Sequence, residues 1–136
     1  MYDLERIYRA KGVADAIAAL ERDPRAVVIC GGSDVLIRIR EGKLAGHPLV
    51  SIHGLPELSE IRLEPDGTLV IGPAVPFAQV TGHPLIQRLV PALGEAVDQA
   101  GGPQLRAAGT IGGNVCNGIT SADTASTLVA LDAVLR

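Results

Sequence analysis

Two glycine-rich segments constrain this chain more than any other feature. The first, Gly31-Gly32-Ser33-Asp34, follows a short apolar run, and the second occupies residues 109–114 within an uncharged stretch at 107–122. Glycine permits left-handed backbone conformations and lets the main chain come close to another group. Turns of this kind present main-chain N–H groups with few side chains in the way, so each segment is a candidate for holding an anion.

Hydrophobic periodicity predicts an α/β arrangement around the first segment. A helix is predicted at 12–22, where Val13, Ile17 and Leu20 recur at helical spacing. The run at 26–30 is apolar and rich in β-branched residues, which predicts a strand buried on both faces. The chain then turns at the glycines and continues into a predicted helix at 35–41.

The rest of the chain is predicted to contain a second strand, a hairpin and further helices. The strand is predicted at 49–52, and the hairpin pairs 58–63 with 68–72 across a turn that contains Pro65 and Gly67. Helices are predicted around 77–80, at 85–89, at 91–100 and at about 121–131, the last capped by Ser121 or Thr120 with Asp123 in its first turn. Residues 109–116 are predicted to lie in a glycine-rich loop.

Composition argues against nucleic acid as a partner. The formal net charge is −3, and the aromatic residues are two tyrosines and one phenylalanine, so neither a basic face nor a stacking surface is expected. No stretch resembles a signal peptide or a membrane span. Two widely spaced cysteines favour reduced thiols and no metal site, which together predict a cytoplasmic protein without membrane contact.

Individual polar residues near the two segments leave the chemistry open. Hydroxyl groups of Ser33 and Thr110 and the amide of Asn114 are available to bind a diphosphate, and Asp123 is suited to accept from ribityl or ribose hydroxyls. Without a GxGxxG or GxxxxGK[ST] motif, the alternative is that both segments are only tight turns. Arg106 is expected to point to solvent, with contact to phosphate or to a partner as the alternatives. Cys116 is expected to be a buried packing residue.

Four segments resemble those of the molybdenum-hydroxylase flavoproteins. The segment at 31–36 looks like their GGTDLL-type loop, and residues 102–106 followed by 109–114 are similar to their RxxGTIGGN segment. Residues 117–123 resemble the continuation in stand-alone FAD subunits of bacterial xanthine dehydrogenases. Residues 52–58 fit a strand followed by an L-x-E-L turn. The resemblance covers essentially the whole chain.

The resemblance implies an α+β fold with α/β character, the PCMH-type FAD-binding domain. Residues 1–56 would form a small N-terminal α/β subdomain, and residues 57–136 would begin a larger one, with FAD between them. Family members are about twice as long, so the remainder of the flavin domain and a C-terminal domain are expected to lie outside this chain.

The resemblance also implies a set of flavin-binding residues and no catalytic side chain. The first loop would hold the pyrophosphate of FAD from one side, and a second group, Thr110, Gly113 and Asn114, would hold it from the other. Asp123 would lie near the ribityl or phosphate region, and Gly101 would lie near the flavin. The first loop is taken as Ile29, Cys30, Gly31, Gly32, Ser33, Asp34 and Val35.

The implied function is electron transfer within a complex. An iron–sulfur subunit with 2Fe-2S clusters would receive electrons from a molybdenum-cofactor subunit and pass them to FAD, which would reduce NAD+. The alternatives are the FAD subunit of a sibling enzyme that oxidises an aldehyde, carbon monoxide or an aromatic thioester, and a degenerate interaction module without flavin.

Overall fold

A parallel three-stranded sheet forms the first part of the chain. The computed structural model describes residues 2–136. The elements of this part are, in order, β1 (Ile7–Arg9), α1 (Val13–Arg22), β2 (Val27–Ile29), α2 (Val35–Arg40) and β3 (Leu49–Ser51). Both outer strands run parallel to β3 in the order β1-β3-β2. The carboxyl end of β2 therefore lies beside that of β3 and leads directly into the first glycine segment.

The central strand of this sheet is β3. Leu49 and Val50 of β3 are 0% and 2% exposed, whereas Val28 of β2 is 41% exposed. The prediction that residues 26–30 form a strand buried on both faces is therefore wrong. An apolar, β-branched run indicates a strand but not its position in the sheet. Here β1, a short strand that the sequence pattern did not reveal, pairs with the other side of β3 and leaves β2 at the edge.

The second part of the chain pairs a hairpin with a layer of short helices. Its elements are a 3-10 turn (Pro56–Leu58), β4 (Ile61–Leu63), β5 (Leu69–Ile71), α3 (Phe77–Gly82), α4 (Pro84–Leu89), α5 (Pro91–Asp98), α6 (Pro103–Ala108), α7 (Ile111–Asn117) and α8 (Ala125–Ala130). The two strands are antiparallel, as predicted. Val75, Val80, Ile86 and Val97 are fully buried at the centre of this part.

The predicted glycine-rich loop at 109–116 is wrong, because most of this segment forms α7. Thr110 caps α7 by accepting a hydrogen bond from the Gly113 N–H, and Gly118 ends the helix in a left-handed conformation, with φ +66. The last helix begins at Ala125, so Ser121 and Asp123 precede it. Glycine-rich sequence weakens a helix, but capping and contacts with the preceding segment hold this one.

Residues 2–136 contain no helix with the length and apolar character needed to cross a lipid bilayer.

Candidate functional site

The first glycine segment carries main-chain donors that have no partner. Gly32 has φ +79, which turns the chain from β2 into α2. The four successive N–H groups of residues 32–35 donate to no acceptor within the described residues 2–136. Gly32, Ser33 and Val35 are half-buried, so these donors are only partly open to water. Unpaired donors in a partly buried turn suit an anion.

The second segment differs, because most of its amides already have acceptors. Gly112 N–H donates to the Pro73 carbonyl at 2.9 Å, and Gly113 N–H donates to the Thr110 hydroxyl at 3.1 Å. Ile111 N–H donates to the Val75 carbonyl at 3.1 Å. The prediction that this segment exposes its amides to a ligand is therefore wrong for residues 111–113.

Thr110 is the exception within the second segment. Its side chain and backbone are 5% exposed, yet its own N–H has no acceptor in the part of the chain that the structure describes. A buried N–H group is costly to leave unpaired, which indicates that water or a ligand group completes it. Thr110 thus contributes a main-chain donor close to the first segment.

The two segments lie against each other. A methyl group built in ideal geometry on Gly31 would fall 1.8 Å from the Ala108 carbonyl oxygen. The Thr110 side chain lies near the Cys30 thiol. Burial raises the pKa of that thiol, and this effect outweighs the lowering by Thr110 and by the Gly31 amide. We call this contact region, residues 30–35 with residues 108–114, the junction.

Asn114 and Asp123 are joined to each other. The Asn114 Oδ1 atom accepts from the Thr124 N–H at 3.1 Å and from the Thr124 hydroxyl at 2.7 Å, and its Nδ2 donates to Asp123 at 3.2 Å. Asn114 therefore ties α7 to the start of α8. Asp123 is exposed and keeps one carboxylate oxygen free of partners within residues 2–136.

Gly101 lies apart from the other predicted site residues. It precedes α6 with φ +53, whereas the junction lies at the opposite end of that helix, at Ala108. Arg106 donates to the Gly101 carbonyl at 2.7 Å and pairs with Asp98 at 3.4 Å. The expectation that Arg106 points to solvent is wrong, because its side chain is only 20% exposed.

The cysteines differ from their sequence-based description. Cys116 is exposed, so the expected buried packing role is wrong; it lies on the outward side of the short helix α7. Cys30 is half-buried at the junction. Sequence reasoning also missed Ala108, which acts through its carbonyl and therefore has no signal in the sequence. Thr124 was expected to be a helix cap, and it does precede α8, but its hydrogen bonds to Asn114, ten positions away, were not expected.

The arrangement can bind and orient an anionic group but offers no acid–base pair. Its donors are main-chain N–H groups of residues 32–35 and of Thr110, with the Ser33 hydroxyl beside them. Residues 2–136 contain no group of three or more His, Cys, Asp or Glu side chains placed to hold a metal ion. The chemistry of a redox reaction would have to come from a bound cofactor.

Residues 2–136 match the protein family described as the FAD binding domain in molybdopterin dehydrogenase. A protein of Escherichia coli K12 assigned as the xanthine dehydrogenase FAD-binding subunit XdhB is 44% identical over 136 residues, which cover 100% of this chain and 47% of that protein. The carbon monoxide dehydrogenase medium chain of Hydrogenophaga pseudoflava is 32% identical over 124 residues, with 90% and 43% covered. The chain thus spans about half the length of these relatives.

Solved structures of carbon monoxide dehydrogenases have the same fold. A chain of the Hydrogenophaga pseudoflava enzyme that lacks the Mo-pyranopterin moiety superposes with a TM-score of 0.82 at 30% identity, with 87% of this chain and 41% of that chain covered. A chain of the cyanide-inactivated Cu,Mo-CO dehydrogenase superposes with a TM-score of 0.85 at 28% identity, covering 91% and 43%. The predicted α+β fold is confirmed.

Proposed function

Because the chain belongs to the family of FAD binding domains in molybdopterin dehydrogenases, we propose that the junction holds the diphosphate group of FAD. The observation that carries this proposal is the row of four unpaired N–H groups at residues 32–35, with the buried, unpaired N–H of Thr110 across the junction. A diphosphate offers acceptor oxygens to donors on both sides, and main-chain amides bind phosphate without Lys or Arg.

The chain's residues act in this proposal by binding and orienting the cofactor. Gly32 allows the turn that aligns the loop amides, and Thr110 supplies a donor from the start of α7. Asn114 holds Asp123 at the surface near α7, where its free carboxylate oxygen would accept from a ribityl hydroxyl. Gly101, beyond the far end of α6, would lie toward the flavin ring and not at the diphosphate.

FAD, when bound, supplies the ability to accept electrons singly and to release them as a hydride. We propose that the electrons pass from a molybdenum-cofactor subunit to the 2Fe-2S clusters of an iron–sulfur subunit and from there to FAD. NAD+ is the proposed final acceptor. The proposed substrate of the complex is xanthine, supported by 44% and 43% identity to two Escherichia coli subunits against 32% to a carbon monoxide dehydrogenase chain. Residues 1–56 and 57–136 are proposed as the two subdomains that meet at the junction.

Titration of the purified chain with FAD tests the proposal. Ser33→Asp places a carboxylate among the unpaired amides, so it should weaken FAD binding by about a hundredfold or more, measured by flavin fluorescence and by the visible absorption bands. Ser126→Asp is the matched control: it adds the same charge on the exposed surface of α8 and should leave binding unchanged.

Two results would contradict the proposal. A chain that binds no FAD under these conditions would favour the interaction module without flavin. Equal loss of binding in both variants would mean that net charge, not the junction, governs affinity. The complex is tested separately, by co-purification with subunits that carry the iron–sulfur clusters and the molybdenum cofactor, and by NADH formation with xanthine.

A further inference from the structure

The adjacent glycines of the first segment are needed for different reasons. Gly32 has φ +79, and a methyl group there would meet only side-chain carbons, Ile29 Cδ1 at 3.2 Å and Leu36 Cδ1 at 3.3 Å. Gly31 is outside the left-handed region, so its conformation is open to any residue. Only the surroundings of Gly31 exclude a side chain.

Those surroundings are main-chain atoms. A methyl group on Gly31 would lie 1.8 Å from the carbonyl oxygen of Ala108, 2.7 Å from its carbonyl carbon and 3.3 Å from the Gly109 Cα. Main-chain atoms cannot rotate away as the end of a side chain can. Accommodating the methyl group therefore requires that the two segments separate.

The opposing segment is held in place from behind. Gly109 is buried, its N–H donates to the Leu105 carbonyl at 2.6 Å, and its carbonyl accepts from the Phe77 N–H at 3.0 Å. These bonds connect the end of α6 to the start of α3, within the main core of the second part of the chain. The wall that Gly31 meets is thus fixed, and the first loop would have to move.

We propose that Gly31 is a positioning residue that sets the width of the junction without itself needing to touch the ligand. Because it has no side chain, the loop amides of residues 32–35 lie at the spacing from Thr110 at which one diphosphate reaches both sides. This inference rests on the proposed function for the identity of the ligand. The contact between Gly31 and Ala108 does not depend on it.

The test uses two readouts in a Cys116→Ser background, which leaves Cys30 as the one thiol of the chain. Gly31→Ala should raise the dissociation constant for FAD by about a hundredfold, because separating the two segments removes hydrogen bonds to the charged diphosphate from one side. Without FAD, it should also speed labelling of Cys30 by iodoacetamide severalfold, because the thiol loses its cover. Gly82→Ala, where a methyl group meets nothing within 4 Å and φ is unstrained, should change neither value.

The outcomes separate the inference from the proposed function. If Gly31→Ala binds FAD normally and labels at the unmodified rate, the positioning role is overturned. If the unmodified chain binds no FAD but Gly31→Ala still speeds labelling, the flavin assignment fails and the spacing role of Gly31 stands.

A second variant covers the case in which Gly31→Ala does not fold. Cys30→Leu inserts a larger, flexible side chain against Thr110, one position away from the main-chain contact. It should weaken FAD binding about tenfold by widening the same junction. Affinity equal to that of the unmodified chain would show that junction width does not matter and would overturn the inference.

Discussion

At the scale of single residues, the Asn114 side chain was predicted to bind a ligand, but its hydrogen bonds in the structure are made to other residues of the chain. Its polar amide in a glycine-rich segment indicated a phosphate contact, but its Oδ1 accepts both available hydrogen bonds from Thr124. Thr124 is 0% exposed, so these groups have no access to water. The amide orients Asp123 and joins two helices, which makes it a supporting residue for the proposed site.

Asn114→Ala should therefore destabilise the protein. It leaves the N–H and hydroxyl of Thr124 buried without an acceptor, which costs about 1–3 kcal/mol of the free energy of unfolding. Urea denaturation followed by circular dichroism measures the change. Asn117→Ala, on the same helix and without a side-chain hydrogen bond among residues 2–136, should lose less than about 0.5 kcal/mol. Equal losses in both variants would contradict this role for Asn114.

At the scale of elements, α2 and α7 start from similar glycine-rich sequences but differ in their free donors. The first turn of α7 is satisfied by the Pro73 and Val75 carbonyls and by its Thr110 cap. Within residues 2–136, no neighbouring segment supplies acceptors to the turn before α2. The two segments therefore contribute unequally to the proposed site, with most donors on the first.

Helix α1 also depends on a group from a distant element. Its N-cap residue, Gly12, has no side chain to cap the helix, and the carboxylate of Glu57 accepts from the Val13 N–H instead. Glu57 lies in the 3-10 turn that opens the second part of the chain. This contact links the two parts at a point separate from the junction.

Glu57→Ala should loosen α1 by removing that acceptor. The expected cost is about 1 kcal/mol, the usual value of an N-cap, with faster amide hydrogen exchange in the first turn of the helix. Glu57→Gln keeps an acceptor oxygen and should recover much of the protection. Glu60→Ala, which removes only an exposed ion pair with Arg62, serves as the control. Unchanged exchange in Glu57→Ala would exclude the capping role.

At the scale of the whole molecule, two apolar clusters are joined by main-chain contacts and surrounded by exposed ion pairs. One cluster lies against the parallel sheet around Ile39 and Leu49, and the other lies among the helices around Val80 and Val97. Several carboxylates at the surface accept hydrogen bonds that favour their charged form. The free energy of unfolding of the whole chain should therefore decrease at acid pH, as these carboxylates become protonated.

Four surface carboxyl groups, half-buried in Asp15 and Asp23 and exposed in Glu41 and Asp66, have lowered pKa values. The main cause is a main-chain N–H donor for three of them: that of Lys11 for Asp15, of Arg25 for Asp23 and of Thr68 for Asp66. For Glu41 it is the Lys43 side chain. A carboxyl group whose pKa is lower in the folded than in the unfolded chain stabilises the fold at pH values above its unfolded-state pKa, which is 3.8 for Asp and 4.5 for Glu. This stabilisation is lost as the pH falls through the folded-state pKa. The urea concentration at the midpoint of unfolding should therefore decrease as the pH is lowered below about 4.

The double variant Asp15→Asn, Asp23→Asn should show a smaller decrease over the same pH range, measured by urea denaturation at fixed ionic strength. Both side chains keep an acceptor oxygen but no longer titrate. A midpoint that falls equally in the double variant and in the unmodified chain would assign the acid sensitivity to other groups.

Local sequence determined the conformation of most segments. The spacing of Val13, Ile17 and Leu20 predicted α1, the turn residues around Gly67 predicted the hairpin, and Pro91 marked the start of α5. The same reasoning located both glycine segments, since a left-handed turn such as that at Gly32 needs glycine. These features depend on residues a few positions apart, so the sequence alone contains the information.

Only the tertiary structure decided which groups are left unpaired and which strand is central. The acceptors that satisfy α7, the β1 strand that buries β3, and the carbonyl that meets Gly31 all come from segments far away in the chain. A main-chain carbonyl such as that of Ala108 leaves no mark in the sequence, because every residue has one. Distant main-chain partners therefore set the donor pattern and width of the junction.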